Sequence, residues 1–155
     1  MCAGIALALS ELPPELLERH NLGERQFKRG GEPEVRFLYR HPRPCLPVWR
    51  QGQLEILRWG ARRGDSKELP CTGWTWQSTV EAGEWAKWEA EPVDVPATLA
   101  LENGIWYRVR QGVRGLVVAD EAGDEHVYLI CEPASHYYQV MTRNTSMPVL
   151  INQRI

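Results

Sequence analysis

The apolar residues of this chain fall in short segments of alternating pattern, each closed off by turn residues, and a chain so cut can form only many short strands and few short helices. Residues 34–40 set the pattern: Val35, Phe37 and Tyr39 alternate with Arg36 and Arg40, the period of a half-buried strand with two arginines on its open face. Asn103-Gly104 is a strong two-residue hairpin signal, with residues 105–110 as the returning strand. Residues 48–50 and 54–59 read as two strands joined around Gln51-Gly52. Further strands are expected over 2–9, 93–101, 114–119, 126–131 and 147–152, with 72–79 extended. Helices are expected over 14–20, 80–89 and 134–141, the first and last announced by Pro14 and Pro133. Residues 21–33 and 60–70 read as loops. The sum is a mainly β, α+β domain spanning residues 1–155.

Composition narrows the class. A hydrophobic content of 43% with 25% charged residues is that of an ordinary globular chain, and no apolar run is long enough to span a bilayer. The first apolar stretch has no basic residues before it and runs directly into a helical pattern, which predicts no signal peptide. Four cysteines (Cys2, Cys45, Cys71, Cys131) match neither a metal-ligand spacing nor a disulfide framework, so the expectation is a reducing, cytoplasmic setting with no metal and no cofactor. Charge is uneven. Residues 19–63 carry eleven basic side chains against four acids, a net of +7, which leaves −9 for the rest if the chain is to total −2. Fifteen of the eighteen basic residues are arginine, the side chain suited to bidentate phosphate contact and to stacking on planar groups. A basic face on a mildly acidic protein is consistent with nucleic-acid binding and equally with a solvated surface.

Cys2 directly follows Met1. Removal of Met1 would leave a residue with an amine and a thiol on adjacent carbons. The amine ionises near neutral pH, and the thiolate is the stronger nucleophile. Such a 1,2-aminothiol condenses with an aldehyde to a five-membered thiazolidine, or serves as a thiol nucleophile in acyl transfer.

Several segments taken in order resemble the SOS response-associated peptidase (SRAP) family. The start Met1-Cys2-Ala3-Gly4 is similar to the family's Met-Cys-Gly-Arg, and residues 41–49 to its proline-rich loop and following strand. Arg58-Trp59-Gly60 corresponds to its RWG turn. Residues 93–103 align without gaps with its CLIPADGFYEW segment, which puts Glu102 on the family's glutamate. Residues 114–117 are similar to its AGLW strand, and residues 146–151 to its RMPVIL ending. A gapped alignment would use Glu84, which precedes Trp85, instead of Glu102.

The resemblance implies a barrel-like mixed sheet with a few short helices, and a monomer that binds single-stranded DNA and traps abasic sites through the N-terminal cysteine. Autoproteolytic removal of Met1 is implied as well, with Glu102 as acid and base. The implied DNA contacts are Arg36, Arg40, Arg43, Arg58 and Arg62 on phosphates, with Trp59, Trp74 and Trp76 as candidate stacking platforms. Core packing is the ordinary fate of tryptophan: Trp85, Trp88 and Trp106 are assigned to it, and Trp74 and Trp76 stay open between the two roles. The family's asparagine should fall at Thr72 or Gly73, and its histidine, counted along the last helix, at Thr142. Neither residue type is present there, and His136 lies six residues too early. Two expectations follow: a covalent DNA-damage protein acting through Cys2, Glu102 and the Thr142 position, or a divergent member that keeps nucleic-acid binding and has lost the reaction.

Overall fold

The computed structural model describes residues 1–155, the side chain of Arg29 excepted. Twelve strands and three short α-helices alternate along it. They are β1 (Gly4–Ala8), α1 (Pro14–Arg19), β2 (Gln26–Arg29), β3 (Glu32–Leu38), β4 (Cys45–Arg50), β5 (Gln53–Trp59), β6 (Trp74–Trp76), α2 (Gln77–Glu81), β7 (Glu91–Pro96), β8 (Leu99–Glu102), β9 (Ile105–Arg108), β10 (Gly112–Ala119), β11 (Glu125–Pro133), α3 (His136–Thr142) and β12 (Ser146–Pro148). Strands take 43% of the residues against 18% in helices, so the fold is α+β and mainly β, as the alternation predicts.

The strands form two sheets. The smaller is antiparallel throughout, in the order β2-β3-β1-β8-β9. The larger contains a closed five-stranded barrel: β10-β7-β4-β5-β11, shut by pairing of β11 back onto β10. All its pairings are antiparallel except β5–β11, which makes the barrel mixed. β6 and β12 extend the sheet beside β11. One apolar cluster runs through both sheets, from Ile5, Leu7 and Phe37 to Leu46, Val48, Val95 and Leu129, and a smaller one gathers Trp85, Leu116 and Tyr128. Burial of such side chains is the main driving force for a fold with so few long elements.

The structure departs from the sequence reading at several places. Of residues 72–79, expected to be extended, only Trp74–Trp76 form a strand, and residues 77–79 open α2. Residues 21–33 are not a loop: a 3-10 turn (Leu22–Arg25) leads into β2, an edge strand whose Gln26, Phe27 and Lys28 are all exposed, so that no apolar alternation marks it. The helix expected over 80–89 ends at Glu81, because Gly83 takes φ +78° and turns the chain before Trp85. The single strand expected over 93–101 is two. β7 belongs to the barrel and β8 to the smaller sheet, and Thr98 at the crossing donates its backbone N–H to Ala6 O. The last strand spans only Ser146–Pro148. The two hairpin turns are where the sequence puts them: Gln51-Gly52 and Asn103-Gly104 have positive φ at both positions, the type I′ geometry that suits strand twist.

Gly60 makes a different demand. Its φ is +63°, its N–H donates to Val127 O, and a Cβ there would meet Thr72 O at 2.2 Å. Gly104 also has positive φ, but nothing lies within 4 Å of its missing Cβ. Gly60→Ala is therefore expected to destabilise the fold by about 3 kcal/mol or more, since steric overlap with fixed backbone adds to conformational strain, and Gly104→Ala by only about 1–2 kcal/mol. Urea unfolding midpoints of the two variants measure the difference, and equal midpoints would contradict this packing around Gly60.

Candidate functional site

β1 is the middle strand of the smaller sheet, paired on one side with β3 and on the other with β8. This pairing carries the first residues of the chain to the end of β8. Ala3 N–H donates to Leu101 O at 2.8 Å, and Tyr39 N–H to Ala3 O at 3.0 Å. Met1 and Cys2 are thereby delivered beside Glu102, the last residue of β8 before the Asn103-Gly104 turn. The Met1 α-ammonium stands 3.3 Å from Glu102 Oε2.

Glu102 is 1% exposed, and such a group must find partners inside the protein. Tyr138 Oη donates to its Oε1 at 2.9 Å, and Asn144 Nδ2 donates to its Oε2 at 3.0 Å. Tyr107 Oη lies 3.0 Å from Tyr138 Oη, with the two rings edge to face. Tyr138 comes from α3, Asn144 from the turn after it and Tyr107 from β9, so the carboxylate ties the N-terminus to three separate elements. Burial pushes both phenols well above their ordinary range, so they stay protonated as donors.

Cys2 is fully buried within this assembly. Its thiol donates to Gly4 O at 3.3 Å, and its own carbonyl accepts from Trp74 Nε1 at 2.9 Å. Burial pushes the thiol up to about 12. While Met1 is in place the sulfur is therefore protonated and shielded.

Next to Met1 a groove of about 960 Å³ opens, lined by residues of both sheets. Its walls carry Tyr39, Trp74 and Trp106 as aromatic surfaces and Arg40, Arg62 and Arg63 as cations. Arg62 is fixed by donating to Tyr39 O and to His41 O, and its guanidinium lies 4.9 Å from the centre of the Tyr39 ring. Arg40 and Arg63 are exposed.

The residues singled out in the sequence divide accordingly. Cys2 and Glu102 share one site, and Arg40, Arg62 and Trp74 line the groove beside it. Arg36 lies in an adjoining smaller cleft, its guanidinium 3.6 Å from the Phe27 ring centre and 4.7 Å from that of Trp106. Arg43 is exposed outside the groove lining, and Arg58 is held by Asp65 at 3.1 Å. Trp59 is entirely buried, with its indole N–H donating to Gly73 O, and it has no face left for a base. Trp76 is exposed on β6 without lining the groove. Trp106, expected in the core, lines the groove instead. Thr142 is buried, but its hydroxyl donates to Tyr138 O within α3 and so is spent on the helix backbone. Glu84 is exposed in the turn after α2. Sequence reasoning did not single out Tyr107, Tyr138, Asn144 or Arg63 as site residues. The arginine-rich composition of residues 58–63 was the one signal for Arg63; nothing local marks the two tyrosines.

The four thiols should react in the order of their exposure. In the folded chain carrying Met1, a thiol-alkylating reagent at pH 8 is expected to modify exposed Cys71 first and half-buried Cys45 more slowly. Cys2 and Cys131, both buried and both pushed up to about 12, should react only on unfolding. Peptide mass spectrometry follows each site. Modification of Cys2 at the rate of Cys71 would mean that the sulfur is open to solvent. Comparison of the chain with protein-family models, curated proteins and solved structures found no match.

Proposed function

We propose that this protein is an SRAP-like DNA-damage protein that binds single-stranded DNA and traps abasic sites covalently through Cys2, after autoproteolytic loss of Met1. The observation that carries the reading is the ion pair between the buried Glu102 carboxylate and the α-ammonium preceding Cys2, at the edge of a groove with arginine and aromatic walls. A carboxylate held on an amine is placed to take its proton and return it, which imine chemistry requires. Removal of Met1 consumes one water and releases methionine. The Cys2 amine then attacks the aldehyde of an open-chain abasic sugar, and the aldehyde oxygen leaves as water to give an imine. The sulfur adds to the imine carbon, and the thiol proton passes to the nitrogen, closing the thiazolidine. Glu102 carries the protons between these steps. Arg40, Arg62 and Arg63 suit the phosphates of the strand, and Trp74 and Trp106 suit its exposed bases. The same reading assigns the protein to the cytoplasm as a monomer. Among the described residues no helix is long and apolar enough to cross a membrane.

The buried, protonated state of Cys2 favours a second reading while Met1 is retained: a divergent SRAP-like protein that binds nucleic acid without covalent chemistry. Intact-mass spectrometry separates the two. The covalent reading expects the purified chain to lack Met1. It also expects incubation with a single-stranded oligonucleotide bearing an abasic site to give protein plus oligonucleotide less one water, with Cys2→Ala abolishing the product. An unmodified mass, with oligonucleotide binding that survives Cys2→Ala, would replace it by the second reading. Both expect salt-sensitive binding, and Arg40→Ala and Arg63→Ala should each flatten the slope of log affinity against log salt by about 0.7. An unchanged slope would remove the groove from the binding surface.

A further inference from the structure

The resemblance implies a histidine ahead of the last strand, counted to Thr142, and the structure brings Tyr138 and Asn144 to Glu102. The Asn144 amide is oriented without ambiguity. Its Oδ1 accepts from Ser146 N–H at 3.2 Å and from Ser146 Oγ at 3.3 Å, so the donor end of the amide faces Glu102 Oε2. The turn that brings it round is also defined: Arg143 takes φ +60° at the end of α3, and Asn144 N–H donates to Thr142 Oγ1 at 3.3 Å. Direction is equally fixed on the other side. Tyr138 has one hydroxyl proton and gives it to Glu102 Oε1, so the Tyr138 oxygen is left to accept and Tyr107 must be the donor to it. Each carboxylate oxygen thus has its own side-chain donor, and neither donor titrates near neutral pH.

We propose that Asn144 and Tyr138, the latter backed by Tyr107, are the positioning residues of this site, holding Glu102 against the N-terminal amine in place of a titrating histidine. The inference rests on the function proposed above. Under it, Asn144 and Tyr138 move no proton; they orient the carboxylate, and Glu102 does the proton transfer alone. The titratable groups that face Glu102 are the Met1 α-ammonium, Cys2, Tyr107, Tyr138 and Cys131.

The test compares the unsubstituted chain with Tyr138→Phe and Asn144→Leu, each of which deletes one donor to Glu102. The first readout is the carbon-13 carboxyl resonance of Glu102 at one fixed pH in the full chain, which needs no activity. Each variant removes a hydrogen bond to one carboxylate oxygen, so that resonance should move in each folded variant. Tyr107→Phe, one bond further away, should move it less. The second readout is adduct formation with the abasic-site oligonucleotide, which each variant should slow about tenfold while affinity for the same strand without the abasic site stays unchanged. A merely structural role would weaken that binding as well. An unmoved Glu102 resonance in folded Tyr138→Phe and Asn144→Leu would overturn the inference. If the unsubstituted chain forms no adduct, the proposed function falls, while the resonance still decides whether these two residues position Glu102. Should Tyr138→Phe fail to fold, Asn144→Leu, on a half-buried turn, decides it alone.

Discussion

A carboxylate withdrawn from water costs several kcal/mol unless its charge and lone pairs are answered inside the protein. Glu102 is answered from three directions: the chain's first residue, the last helix and the turn beyond it. Each of these segments is short and weakly held by its own secondary structure, and α3 spans only seven residues. The carboxylate is what makes their positions interdependent. Removing the carboxyl group would leave the Met1 ammonium without its ion pair and a phenol and an amide each short of an acceptor, so the dependence between Glu102 and the polar groups around it runs both ways.

The barrel and the smaller sheet divide the labour around this centre. The closed barrel has no free edges among its five strands and supplies a rigid wall. The smaller sheet carries the site, because β1 and β8 are neighbours and the start of one lies against the end of the other. The crossing at Ala97-Thr98 lets one run of chain serve both: β7 closes the barrel with β10 and β4, and β8 then takes Glu102 to the N-terminus. Trp59, fully buried where β5 leaves the barrel, packs against Tyr39 and Trp74 on the groove side and so keeps the aromatic wall from collapsing inward.

Much of this was legible from residue pattern. The Val35, Phe37, Tyr39 alternation and the Gln51-Gly52 and Asn103-Gly104 turns report local geometry, which is set by neighbours in sequence. Elements whose character comes from tertiary contact were harder. β2 exists because β3 pairs with it, and no alternation marks an edge strand whose Gln26, Phe27 and Lys28 are all exposed. The Trp85 and Trp88 spacing imitates a helix, yet those rings meet at 5.2 Å across a 3-10 turn after Gly83. At the site, Cys2 and Glu102 could be named from segment-by-segment similarity, whereas Tyr107, Tyr138 and Asn144 carry no motif. Counting along the last helix led to Thr142. The left-handed turn at Arg143 brings Asn144 rather than Thr142 to Glu102, a change of direction that sequence spacing does not encode.

The distances along the chain between these partners have a temporal meaning. A polypeptide is made from its N-terminal side, so Cys2 leaves the ribosome well before Glu102 and Tyr107, and these well before Asn144. The thiol and the amine beside it are thus exposed long before the groups that enclose them exist, and β1 must wait for β8 as well as β3. Whatever this centre does to its own first residues, it is assembled only once α3 and the turn after it have been made. Folding therefore acts as a checkpoint on synthesis through residue 144.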